Sequence, residues 1–257
     1  MIGFSFFCRL LCIFAAMLVQ SQAIVLHAIK YGDGKMIVDL FTRSDGRQSF
    51  IVPMPKSAKS KVKKQYFQSL TLLEVTWDMR PNVQLQKLRD VRVLMPYTTI
   101  PFHPDKLTIT LFLGEFLYHA LKGEQQDEAL FDYILNSLEW LDGCSGVFAN
   151  FHLVFLMRLS RFLGFYPNLE AYEDGDYFDL RQSCFCGEPP FHHDYLEPLD
   201  ARRLIQMMRM DFPTMYLFQL SHHDRNRLLE VAVTYYRLHL PDFPELKSLA
   251  VLQAVYE

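Results

Sequence analysis

Cysteine is scarce in the body of this 257-residue chain. Cys8 and Cys12 lie in the first dozen residues, which leaves Cys144, Cys184 and Cys186. Three cysteines make no disulfide framework, which excludes a small disulfide-stapled scaffold and fits a reducing compartment. Glycine (11) and proline (13) are too few for a collagen-like or low-complexity chain. Neither charge sign dominates: the formal net charge is −3, 21% of residues are charged and 50% are hydrophobic. A disordered chain would be poorer in apolar residues and richer in net charge. There is no G-x-x-x-x-G-K-[ST] phosphate loop and no G-x-G-x-x-G fingerprint, and Gly143-Cys-Ser-Gly146 has the wrong spacing for a G-x-S-x-G nucleophile elbow. The one long apolar stretch, residues 1–19, is interrupted by Arg9, so it is not the clean run of about 20 residues that a membrane helix needs.

That stretch has two other readings. Ser21-Gln22-Ala23 resembles a small-x-small cleavage site, so residues 1–23 could be a signal peptide of an exported protein. Against this, the part before Arg9 is apolar rather than basic, and cleavage after Ala23 would cut at the edge of a strand-like run. The favoured reading is a start at Met17, with 1–20 a mis-annotated or processed extension and the protein cytoplasmic.

What the chain does contain changes character near residue 100. Ala23–Ile29, Met36–Thr42, Gln48–Val52, Tyr66–Trp77 and Leu85–Leu94 are short β-branched or alternating runs. Glycine-bearing turns at 31–35 and 44–46 separate the first three, and a basic, proline-bearing loop at 53–64 follows. Five short strands in about 75 residues predict a small closed barrel of the oligonucleotide/oligosaccharide-binding (OB) type, with an SH3-like barrel as competitor. Beyond Pro104 the period is helical. Runs at 107–121, 128–141, 147–163, 202–210, 224–240 and 244–256 predict helices, the third apolar nearly all round and hence central. Residues 168–200 read as irregular. The expectation is an α+β protein of two domains: an OB-type barrel over 21–97 and an all-α domain over 98–257.

The charge is divided along the same line. Between Met17 and Thr110 there are 14 Lys+Arg against 7 Asp+Glu, a net of +7, whereas residues 111–257 carry a net of −11. A basic half points to nucleic acid or an anionic surface. Lys56, Lys59, Lys61, Lys63 and Lys64 crowd one loop, Lys30, Lys35, Arg43 and Arg47 stand at turns, and Arg80, Lys87, Arg89 and Arg92 lie on or beside the fifth run. Such a set would track a phosphate backbone while Tyr66, Phe67 or Phe50 stacks bases. A solvated loop is the plainer reading of the lysine run. No base-reading motif is present, so sequence-indifferent binding is expected.

The other chemistry-bearing residues are weaker signals. Cys184-Phe-Cys186 has no second C-x2-4-C pair, so a zinc site is not expected, even with His192 and His193 nearby. His-His-Asp occurs at 192–194 and 222–224, which would suit a metal-dependent phosphohydrolase, but Ser221-His-His-Asp224 is also a capping box. Arg158 and Arg161 share one side of an otherwise apolar helix and could hold an acidic, apolar peptide, or bridge to local acids. No catalytic set emerges.

Three pairs of segments carry a family resemblance. Ala23-Ile-Val-Leu-His-Ala-Ile-Lys-Tyr-Gly-Asp33 with Leu40-Phe-Thr-Arg-Ser-Asp-Gly46 resembles the opening of the bacterial RecO recombination mediators. Phe151–Pro167 with Phe178-Asp-Leu180 resembles their central helix and the segment after it; Tyr235–His239 and Leu246–Leu252 resemble their C-terminal end. The resemblance implies an OB domain followed by a helical domain. It implies binding of single- and double-stranded DNA, annealing of complementary strands, and partnership with RecR and the acidic C-terminal tail of single-strand-binding protein. RecA would be served indirectly, by loading onto covered single strands on the nucleoid. Many members carry a four-cysteine zinc module, of which this sequence keeps only Cys184 and Cys186. A protein scaffold whose barrel binds no DNA is the alternative.

Overall fold

The structure, a computed structural model, describes residues 17–54, 62–170 and 172–255. Residues 1–16, including Cys8 and Cys12, and Lys56, Lys59 and Lys61 of the basic loop lie outside the described residues. Among the described residues five strands form the N-terminal part: β1 (Met17–Tyr31), β2 (Lys35–Thr42), β3 (Gly46–Pro53), β4 (Leu72–Met79) and β5 (Leu85–Val93). They hydrogen-bond in the closed order β1-β2-β3-β5-β4, with only β3 and β5 parallel. This is the strand count and crossover of an OB-type barrel.

β1 is longer than the apolar run that announced it, because Met17–Gln22 pairs residue by residue with β4. Its centre reads Ala-Ile-Val-Leu because both faces are buried. Ala23 and Val25 point into the barrel, while Ile24 and Leu26 belong to the core of the helical part. Elsewhere the strands alternate as a half-buried sheet should. Met36, Val38, Leu40, Phe50, Val52, Leu73, Val75 and Trp77 fill the barrel, and Phe50 meets Trp77 edge to face at 5.5 Å.

The fourth run differs from expectation. Lys64–Phe67 is a single 3-10 turn, and the strand begins only at Leu72. Phe67 closes the barrel core while Leu70, with φ +61°, turns into the helical core. Two apolar side chains three residues apart serve two cores, so the chain cannot stay extended between them.

Among the described residues six helices follow: α1 (Pro104–Ala120), α2 (Glu128–Gly143), α3 (Phe151–Phe162), α4 (Pro198–Met208), α5 (His222–His239) and α6 (Lys247–Val255). α3 is buried from Phe151 to Ser160 except at Arg158, and Arg161 is exposed. The segment read as irregular holds a small sheet in the order β7-β6-β8, made by β6 (Tyr177–Asp179), β7 (Cys184–Cys186) and β8 (Tyr195–Leu196). Strands of two or three residues are too short to show a period, which is why the sequence hid them. Among the described residues no helix is long and apolar enough to cross a membrane.

Barrel and helices share one core, since Ile24, Leu26, Phe41, Leu70 and Leu72 pack with α1–α3. Two close approaches set the seam. Gly114 on α1 leaves room for the Ser69 side chain, and a Cβ there would stand 3.1 Å from Ser69 Cβ. Gly46, at φ +65°, lies against the α1–α2 turn; its Cβ would fall 2.6 Å from the Gln125 carbonyl oxygen. The connecting segment is held by Asp142 at the end of α2. Its carboxylate accepts from the Thr98, Thr99 and Ile100 amides at 2.7–2.9 Å. Burial works against that charge, but these amides and the Thr98 hydroxyl outweigh it and bring the carboxyl down to about 2. Buried Lys106 caps the same junction, donating to Thr99 Oγ1 and to the Asp142 and Cys144 carbonyls.

Candidate nucleic-acid interface

The tertiary structure separates the basic residues into three groups. Arg43 and Arg47 face the helices. Arg43 pairs with Asp132 at 2.8 Å and Glu128 at 3.5 Å. Arg47 donates to the Tyr118 carbonyl at 2.7 Å, sits over the Tyr118 ring and lies 3.4 Å from Asp39. These two arginines join the halves of the molecule. Arg89 and Arg92 form a second group on the outer face of β4 and β5. There they meet Asp78 at 2.5 Å, Glu74 at 3.2 Å and Asp90 at 3.7 Å, so much of their charge is balanced on the spot.

The third group converges on the barrel end that carries the β1–β2 turn. Cross-strand partners present their side chains on one face. Tyr31 opposes Lys35, which opposes Pro53; in the next row Ile29, Ile37, Ile51 and Lys87 stand side by side across four strands. Ile29 and Tyr31 are 46% and 51% exposed. Lys30 continues the inward-facing row beyond buried Met36 and so stands at the barrel mouth, where it lines a cavity with Lys64. Lys63 precedes Lys64 and is exposed. Among the described residues, no carboxylate pairs with Lys30, Lys35, Lys63, Lys64 or Lys87. Arg80 is exposed on the β4–β5 turn, whose backbone is held by buried Gln86. The end therefore offers unbalanced positive charge around an apolar strip, the surface a flexible polyanion with stackable bases can use. The stacking residues need correction. Phe50 is wholly buried in the barrel, Phe67 is nearly so, and Tyr66 packs partly against the same core. Tyr31 is the exposed aromatic at this end; its place beside a turn glycine gave no sign of that role in the sequence.

Arg158 and Arg161 do not act as one clamp. Arg158 bonds to the Asp211 carboxylate and the Met210 carbonyl, whereas Arg161 lies 5.9 Å from the Tyr166 ring. Nor do the His-His-Asp segments gather. Ser221 Oγ accepts from the Asp224 amide and donates to its carboxylate, the capping box of α5. His192 bridges the Asp179 carboxylate at 3.2 Å and the Asp194 amide. The residues present do not fit a four-cysteine zinc module. Cys184 and Cys186 are free thiols on one short strand, and burial, then Asp179, Cys184 and Asp176, pushes the Cys186 thiol up. Zinc binding needs the thiolate. Among the described residues no three His, Cys, Asp or Glu side chains are grouped to hold a metal. Ser183 Oγ stands 3.3 Å from His239 Nε2, but that nitrogen also faces the Leu180 carbonyl at 2.9 Å. It carries a proton there and cannot serve Ser183 as a base.

The fold and this surface define a class: an OB-type barrel, basic at its free end, seated on a helical body. Residues 17–97 match the family described as Recombination protein O N terminal, and residues 101–250 match Recombination protein O C terminal. The chain belongs to the recombination protein O family. It is 49% identical over 242 residues to the DNA repair protein RecO of Bacteroides fragilis, covering 94% of this chain and all of that protein. It is 48% identical over 240 residues to that of Phocaeicola vulgatus, and 34% identical over 247 residues to that of Porphyromonas gingivalis. These cover 93% and 94% of this chain and the whole of each relative.

Proposed function

We propose that this chain is a non-catalytic DNA-binding mediator of recombination and repair. The carrying observation is the convergence of Lys30, Lys35, Lys63, Lys64 and Lys87 at one barrel end, none of them paired with a carboxylate among the described residues. They bind phosphates of single- or double-stranded DNA without reading sequence. Two strands held on one cationic surface repel each other less and meet at higher effective concentration, which promotes annealing. The helical half, acidic overall, confines DNA to the barrel and docks protein partners. Membership of the family makes RecR, the acidic tail of single-strand-binding protein and, indirectly, RecA the partners to test, in the cytoplasm at the nucleoid. A tail docking at Arg158 has to displace Asp211. The alternative of export asks for cleavage after Ala23, which would remove Met17–Ala23 from its pairing with β4.

The test is binding of a labelled single strand at two salt concentrations. Five neutralised phosphates give a slope of log affinity against log salt near −3.5. Replacing Lys35, Lys64 and Lys87 by alanine brings the slope to about −1.4 and weakens binding about a hundredfold at 0.1 M salt. A flat salt response, or unchanged binding by the triple variant, would favour a protein scaffold instead.

A further inference from the structure

The barrel mouth holds a cavity of about 410 Å3 between the β1–β2 turn and the 3-10 turn at Lys64–Phe67. Its apolar lining comes from Ala28, Ile29, Met36, Met54 and Phe67. Two exposed amides, Gln65 and Gln68, border it, and Lys30 and Lys64 stand at the same opening. An apolar slot edged by amides and flanked by unbalanced cations matches one chemical object well. A nucleobase has two apolar faces, an edge of donors and acceptors that carboxamides can pair with, and a phosphate on either side.

We propose that this cavity takes one unstacked base of single-stranded DNA, and that it makes the barrel prefer single strands to duplex. The proposal rests on the DNA-binding reading above and adds the selectivity to it. In a duplex every base is paired and stacked, so entry means extruding one and losing its pairing and stacking. In a single strand that cost is largely absent. The lysines serve both forms alike because phosphates are common to both. Affinity in general thus resides in Lys30, Lys35, Lys63, Lys64 and Lys87, and the difference between forms in the cavity. Exchange of one strand for another is served by such a division, since a single strand is held until it pairs and is then gripped by its phosphates alone.

The experiment compares full-length wild type with Ala28→Phe, which fills the slot and leaves every lysine in place. The probes are a fluorescein-labelled dT single strand of about 15 nucleotides, within the reach of one OB barrel, its dA·dT duplex, and the same single strand with every base removed. We expect wild type to bind dT about tenfold tighter than the baseless strand, the size of one stacked base. Ala28→Phe should lose that factor on dT and bind duplex within twofold of wild type. Equal binding of dT and the baseless strand by wild type would overturn the assignment without any variant. So would loss by Ala28→Phe of single-strand and duplex binding in the same proportion, with circular dichroism matching wild type. Failure of wild type to bind any of the three at low salt would overturn the DNA-binding reading itself, and the pocket with it.

Discussion

His152 makes the acid limb of this protein's stability a calculable quantity. The imidazole is wholly buried in α3. Burial, reinforced by the Arg225 guanidinium, brings its pKa down to about 3. The unfolded chain takes up that proton near pH 6.5, so below this value protons favour the unfolded state. Stability falls by about 1.4 kcal/mol for each pH unit below 6.5 and stops falling near pH 3. Between pH 7.5 and pH 5 the loss is about 2 kcal/mol. His152→Leu removes the titrating group. Urea unfolding of both proteins at pH 7.5 and pH 5.0 reads the effect directly. The gap between them should shift by about 2 kcal/mol in favour of the variant at the lower pH. A gap that is the same at both values, within about 0.5 kcal/mol, would refute the claim that α3 holds a neutral imidazole.

Three other outcomes follow from named contacts. Asp142→Ala leaves three amides of the connecting segment without their acceptor, and since only that of Ile100 is buried while water reaches exposed Thr98, it should lower urea stability by about 1–3 kcal/mol; a loss below about 0.5 kcal/mol would show that the segment is held by other means. In wild type the same carboxyl gives up its stabilising charge only as pH falls from about 4 towards 2, well below the His152 window. Gly46→Ala puts a Cβ at φ +65° and against the Gln125 carbonyl, so the 43–47 turn should undock, seen as faster hydrogen exchange of the Arg47 amide that donates to Glu124; unchanged exchange would count against a rigid seam. Arg89→Ala with Arg92→Ala should weaken single-strand binding less than about threefold, because Asp78, Glu74 and Asp90 already balance those charges, and a loss equal to that of the three lysines would place the DNA on the β4–β5 face instead.

Some features were legible because they are local. The alternation in Met36–Thr42 and Leu72–Met79, the turn glycines and the change of period after Pro104 are properties of neighbouring residues, and they name a barrel followed by helices. Others were misread for physical reasons. Tyr66–Trp77 looked like one strand because Phe67 and Leu70 are as apolar as the strand that follows, although they serve different cores. Phe50 looked available for stacking because an inward aromatic and an outward one are the same residue in a sequence.

The site shows the division most clearly. Composition alone concentrated positive charge in residues 17–110, and that asymmetry needs no coordinates. Which cations remain available is a matter of three-dimensional company. Arg47 and Lys35 are equivalent turn residues in the sequence, yet one is tied to Tyr118 and Asp39 while the other stands beside Tyr31 and Pro53 with no carboxylate in reach among the described residues. Charge count and hydrophobic period are sums over residues, so the sequence by itself determined them, together with the class of fold. Pairing and exposure are relations between residues far apart in the chain, brought about by barrel closure and by the seam at Gly46. Only the tertiary structure could decide that five lysines stand exposed at one end while four arginines are held against acids and carbonyls.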